Sequence, residues 1–270
     1  APTQNITFTN SGNIGTLAAN VAGLNYSQAN NLVIGKVTNT FCSPGTTNGI
    51  TSSGNVTIKT TGANSDISLA ANTPITFTGA APGAISLNAQ RNITLNAGST
   101  IGSSGQPIDV TLNSNLEGVA AGGGNITLTS TTIASNNGNI TLAGDPSGTG
   151  FASNKAGSGI VLDASTIDAG SGAITLRGEG GGAANSSGVA LINGSVVTSS
   201  GAMNVTGKSI SGGDQANGVL VTGANSKIEN SGNGAMNITG AGSSALSATN
   251  AIGISIASSA SVLGKDGATS

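Results

Sequence analysis

A short phrase recurs along this chain and constrains its fold more than any other feature. It stands as Gly54-Asn55-Val56-Thr57-Ile58, Asn92-Ile93-Thr94-Leu95, Gly124-Asn125-Ile126-Thr127-Leu128 and Gly138-Asn139-Ile140-Thr141-Leu142. Looser copies follow at Gly172-Ala173-Ile174-Thr175-Leu176, Ala202-Met203-Asn204-Val205-Thr206 and Ala235-Met236-Asn237-Ile238-Thr239. In the clear copies the aliphatics lie two apart, so an extended backbone sends Ile and Leu to one face and Thr to the other. The Gly and Asn just before them are residues that tight corners accept. A strand-and-corner unit repeated on this scale predicts a solenoid.

Spacing sets the expected winding. Val56, Ile75, Ile93 and Val110 follow one another at intervals of about 18 residues, and Ile67 and Ile85 repeat that interval in a second series. Strand signals thus alternate about every eight to ten residues and like returns to like at about 18, predicting coils of about 18 residues over 1–150. Over 151–270 the units lengthen to about 30 residues. They are marked by Gly159-Ile160-Val161-Leu162, Gly188-Val189-Ala190-Leu191, Gly218-Val219-Leu220-Val221 and Gly253-Ile254-Ser255-Ile256, of which the last is set slightly wider. The first of these units holds three aliphatic stations, Ile160/Leu162, Ile167 and Ile174/Leu176, followed by a loose stretch from Gly178 to Ser187. A three-sided coil with a loop inserted at one corner is expected, with further loops at Gly207 to Asn217 and Gly240 to Asn250.

Composition says what such a coil can enclose. With 44 Gly, no Trp, one Tyr and four Phe, the bulk for a thick core is missing, yet 36% of the residues are hydrophobic and most of these are aliphatic. A narrow column of stacked Ile, Val and Leu fits that mixture. No window sustains a helical apolar stripe; the best, Leu17 to Leu24, is broken by Asn20 and Gly23. The fold class read from these features is all-β, a parallel β-helix (β-solenoid) of three-sided coils with inserted loops in the C-terminal half.

The run Asn31-Leu32-Val33-Ile34-Gly35-Lys36-Val37, then Asn48-Gly49-Ile50-Thr51-Ser52-Ser53-Gly54-Asn55-Val56-Thr57-Ile58, followed by the Asn-Ile-Thr-Leu phrases, resembles the repeat interior of filamentous-haemagglutinin-like exoproteins, which Gram-negative bacteria export by two-partner secretion. The resemblance covers nearly the whole chain as a style of repeat. It implies a right-handed β-helix, export through an outer-membrane transporter as a partner, location outside the cell or on its surface, and a part in adhesion, aggregation or biofilm. Surface glycans or proteins are the ligands it implies. Self-association end to end is a further expectation, because a terminal coil presents unpaired strand edges.

Other chemistry is sparse. Charged residues are 7% of the chain, and eight basic and ten acidic ones are scattered singly, so no basic stripe offers counterion release to a nucleic acid. The uncharged stretch Ala1 to Gly35 is too rich in Asn, Thr and Gly to span a bilayer. A β-helix can be a carbohydrate-active enzyme, which needs converging carboxylates. Of the acids only Asp163 and Asp168 fall close together, on adjacent stations, and solvated outward positions are expected for them. With no His and Cys42 alone, His/Cys metal sites and His-assisted nucleophiles are excluded. Gly122-Gly123-Gly124 and Gly180-Gly181-Gly182 lack a following Gly-Lys-Ser/Thr and read as corners or loops. No catalytic, cofactor-binding or metal-binding residue is assigned, and no cofactor is expected.

Asn5, Asn25, Asn55, Asn92, Asn125, Asn139, Asn185, Asn193, Asn204 and Asn237 begin Asn-x-Ser/Thr, the acceptor pattern for glycosylation. The corner-plus-strand grammar writes the same letters, so stacked corner Asn followed by outward Thr is the expectation. Thr57, Thr76, Thr94, Thr111, Thr127, Thr141 and Thr175 are expected outward, one per strand, as β-favouring surface residues rather than an ice-binding array. The function expected is a non-catalytic structural and adhesive stalk. A carbohydrate-active β-helix, a self-assembling fibre subunit and an ice-binding solenoid are the alternatives.

Overall fold

The computed structural model describes residues 5–9, 14–39, 45–115, 123–145, 149–210, 214–243 and 251–265, with the side chains of 5–9 and 39 excepted. Among these residues there is no helix, and hence none long and apolar enough to cross a membrane. The chain visits three walls in turn. Gly83–Asn88 lies on the first wall, Ile93–Leu95 on the second and Thr100–Ser103 on the third; Ile108–Asn113 then returns to lie directly on Gly83–Asn88. The second and third walls are parallel sheets of nine strands each, and the first is an 11-stranded sheet. The molecule is a three-sided parallel β-solenoid, as the alternation of aliphatic and polar residues predicts.

The register corrects the coil length. On the first wall Val56 pairs with Ile85, Ile85 with Val110 and Val110 with Ile140. On the second wall Ile67 pairs with Leu32 on one side and Ile93 on the other. Each of these steps is one full coil, and a coil accordingly takes about 25–35 residues. Only the opening steps, from Asn5 to its partner Gly23 on the first wall and from Thr16 to Val33 on the second, are as short as about 18 residues. Val56, Ile75 and Ile93, expected to be successive like strands, stand on the first, third and second walls. The shorter interval between them is two sides of a triangle. All three walls carry the same alternation, so periodicity reports the side and not the coil. Residue 150 therefore marks no change from short coils to long ones.

Inside, like stacks on like. Ile50, Ile75, Ile101, Ile133, Ile167, Val197 and Ile228 form an in-register column on the third wall. Each of these is at most 1% exposed. Full burial of each such side chain contributes about 1.5–3 kcal/mol, and the neighbour above and below supplies the cover. The last described rung shows the rule in reverse. Ile254 and Ile256 continue the inward columns of Val219 and Val221 but are 40% and 49% exposed, since no further described rung lies over them.

Corners turn on polar residues that replace lost water contacts with hydrogen bonds between rungs. Between the second and third walls, Thr131, Ser165, Ser195 and Ser226 are buried one above another. The Thr131 N–H donates to Ser165 Oγ (3.1 Å) and the Ser165 N–H to Ser195 Oγ (3.1 Å), while each serine hydroxyl donates to a carbonyl of its own corner: Ser165 to Asp163 and Ser195 to Ile192. At the entrance to the second wall, Asn31, Asp66 and Asn92 each accept, through Oδ1, a backbone N–H of the next rung at 2.9–3.1 Å.

Two additions depart from the plain triangle. A hairpin, Lys36–Asn39 paired antiparallel with Gly45–Asn48, leaves the corner between the second and third walls. Its base is closed by the Gly49 N–H donating to the Gly35 carbonyl at 2.8 Å. The second addition is a fin. Strands Ile174–Gly180, Met203–Ser209 and Met236–Ala241 overrun the corner between the first and second walls, and Ala152–Asn154 pairs alongside Gly178–Gly180. The segments expected as loops from Gly178, Gly207 and Gly240 thus begin as strand, a second correction. Their returning halves lie against the outgoing ones without side chains between. A Cβ on Gly178, Gly207 or Gly240 would sit 2.0, 2.0 or 1.9 Å from the carbonyl oxygen of Gly188, Gly218 or Gly253. Glycine at these places is required by contact between backbones.

Candidate ligand-contact surface on the fin

The inner side of the fin is mostly glycine, with Ala152 and Ser209 beside it, so its charged side chains point outward. Along Ile174–Gly180 the buried positions alternate with Thr175, Arg177 and Glu179, and along Met203–Ser209 with Asn204, Thr206 and Lys208. Register sets Arg177 beside Thr206 and Glu179 beside Lys208. Phe151, which leads into Ala152–Asn154, lies across this side. Its ring centre is 4.6 Å from the Arg177 guanidinium carbon and 4.4 Å from Lys208 Nζ, within the range of cation–π attraction. Glu179 is committed twice: Oε2 meets Lys208 Nζ at 2.5 Å and Oε1 accepts the Ser153 hydroxyl at 3.0 Å. Among the described residues no carboxylate pairs with Arg177, and its Nε is buried without a hydrogen-bond partner.

Beside this cluster runs a column of uncharged hydrogen-bonding side chains. Asn25, Thr57, Ser86, Thr111, Thr141, Thr175, Asn204 and Asn237 succeed one another in register up the first wall. At the strand spacing of about 4.8 Å the column runs about 34 Å. Four of the threonines expected outward therefore do share one wall. Thr94 and Thr127 are neighbours on the second wall and Thr76 is on the third, so the set is divided over all three sides.

Asp163 and Asp168 are not brought together. Asp163 ends a second-wall strand, where its Oδ1 accepts the Asn193 side-chain amide at 2.7 Å; Asp168 ends the next third-wall strand, where its Oδ1 accepts the Gly170 N–H at 2.8 Å. The short strand between them places them at different corners. Asp168 borders a shallow cleft of about 460 Å³ with Asn136, Asn137 and Gly105, in which it is the lone carboxylate. A second cleft, about 490 Å³, is lined by Asn185, Gln215, Asn217, Leu220 and Ile252 on the second wall and contains no charged group. Among the described residues no three His, Cys, Asp or Glu side chains gather to hold a metal ion. Cys42, Gly122, Glu117 and Asp266 lie outside the described residues.

Of the Asn-x-Ser/Thr positions, Asn55, Asn92, Asn125 and Asn139 take the corner role, whereas Asn25, Asn204 and Asn237 stand outward within first-wall strands. Asn55, Asn92 and Asn139 accept backbone N–H groups of the following rung through Oδ1 at 3.0, 3.1 and 2.9 Å. Asn125 donates its amide to its own Thr127 hydroxyl at 2.9 Å, and Asn237 donates to Asn204 at 3.1 Å. The side chain of Asn5 is outside the described residues.

Sequence reading did not single out Phe151, Arg177, Glu179 or Lys208 as a group. Phe151, Arg177 and Lys208 stand roughly one coil apart along the chain, so they meet only through rung-to-rung register. The available signal was the alternation Thr175-Leu176-Arg177-Gly178-Glu179, which continues the strand pattern with glycine at the inward places. Comparison of the chain with protein-family models, with curated proteins and with solved structures gives no match.

Proposed function

We propose that this chain is a non-catalytic structural and adhesive segment of an extracellular surface protein. In this reading the stack is the rigid support and the outer side of the fin, with the polar column beside it, is the contact surface for surface glycans or proteins. Export through an outer-membrane transporter belongs to the same proposal. One observation carries it: in a chain with 7% charged residues, an aromatic ring, two cations and a carboxylate are concentrated on one outward face, on a backbone extension that the solenoid core does not need. Binding residues held on an irregular addition to a rigid scaffold are the common arrangement in recognition proteins.

The test is adhesion. Beads coated with the purified chain should be retained by bacterial or host cell surfaces above beads coated with a heat-unfolded sample, and soluble chain should compete for retention. Equal retention of folded and unfolded coats, or turnover of polysaccharides by the soluble chain, would contradict the proposal.

A further inference from the structure

We infer that Arg177, braced against Phe151 on the outer side of the fin, is the recognition point for a carboxylate-bearing saccharide. The inference rests on the adhesive reading above and gives its contact a chemical class. Arginine stays charged at any physiological pH, and its planar fork matches the two oxygens of a carboxylate. Two local facts say that Arg177 is not serving another residue: no described carboxylate pairs with it, and its Nε has left water without finding an acceptor. With Nε turned to the protein, the two terminal Nη groups are the edge that can meet a ligand carboxylate with two parallel charged hydrogen bonds.

The surroundings define the rest of the ligand. Glu179 is neutralised by Lys208, leaving one net positive charge at the cluster, which suits a monoanion. Thr175, Thr206, Asn204 and Asn237 lie on the same side in the adjacent columns, half-buried or exposed. These neutral donors and acceptors, about 4.8 Å apart from strand to strand, suit a chain of hydroxyl groups better than a run of acidic peptide side chains. Phe151 orders the guanidinium and excludes water from one side of it.

The experiment is a titration of the full chain with a short oligogalacturonate, its fully methyl-esterified form and hexaglutamate at low salt, read by calorimetry. Oligogalacturonate is expected to bind, with the ester and hexaglutamate each at least about tenfold weaker, a difference of about 1.4 kcal/mol. Arg177→Gln should weaken oligogalacturonate binding by at least about tenfold and Arg177→Lys by less, since lysine keeps the charge and loses the fork; Lys227→Gln on the third wall should leave it unchanged. Absence of oligogalacturonate binding, equal binding of the ester, or undiminished binding by a folded Arg177→Gln variant would overturn the inference; binding of hexaglutamate as tight as that of oligogalacturonate would overturn the saccharide assignment in favour of an acidic protein partner. The ester comparison uses the unmodified chain and decides the matter even where Arg177→Gln fails to fold. Bead adhesion that survives Arg177→Gln leaves the adhesive reading standing and removes this inference. Oligogalacturonate binding without bead adhesion does the reverse.

Discussion

At the scale of single residues, glycine is the residue most tightly specified in this fold, and only in some places. Gly207 faces the Gly218 carbonyl so closely that a methyl group would lie 2.0 Å from it, whereas Gly105 has no atom within 4 Å of the same position. Gly207→Ala is expected to lower stability by about 1–3 kcal/mol, the usual cost of overpacking, and Gly105→Ala to stay within about 0.5 kcal/mol; guanidinium unfolding of the two variants measures the difference. A second residue-scale expectation concerns pH. Burial pushes the Tyr26 phenol up, with a hydrogen bond from the Ile14 backbone opposing it. The unfolded chain then loses this proton first as pH rises, so Tyr26 contributes stability that is complete below about pH 10 and is lost above it. Thermal melts between about pH 8 and pH 12 should fall more steeply for the unmodified chain than for Tyr26→Phe.

At the scale of elements, the wall strands and the additions differ in what they owe to the stack. Interior wall strands are hydrogen-bonded to a rung on both sides, while the hairpin strands Lys36–Asn39 and Gly45–Asn48 pair only with each other and meet the stack through one side-chain bond, from the Asn48 amide to the Asn72 carbonyl at 3.0 Å. Its two ends are already joined by the bond from the Gly49 N–H to the Gly35 carbonyl. Replacing 36–48 by a two-glycine link should therefore leave far-UV circular dichroism and the melting temperature nearly unchanged. The strand phrases were readable from local alternation because a period of two is written in consecutive residues. The fin was not, because its mark is glycine at inward places, and in sequence such glycines look like the start of a loop. Glu179 and Lys208 sit in stretches that read as loose and Arg177 stands just before one, and all three acquire neighbours only when the strands are laid side by side.

At the scale of the whole molecule, the nine stacked strands of the second wall span about 40 Å at the spacing of paired strands, so this length of chain is a compact prism rather than a long rod. Each rung is held by the rungs next to it, and interior rungs have two such neighbours. Amide exchange should accordingly be slowest in Ile93–Leu95 and Ile126–Thr129 and fastest in Ile254–Ala257, whose inward isoleucines are partly exposed; uniform protection from end to end would contradict nearest-neighbour stabilisation. Alternating Ile, Thr and Leu with Gly and Asn at the corners was enough to establish short strands, a thin aliphatic core and the polar corner columns, since these follow from side-chain direction along an extended backbone. The number of residues per coil, the assignment of strands to walls and the meeting of Phe151, Arg177 and Lys208 were settled only by the tertiary structure. Three walls carry the same local pattern, and which strand lies over which depends on how much chain each corner absorbs before the next rung can close its hydrogen bonds.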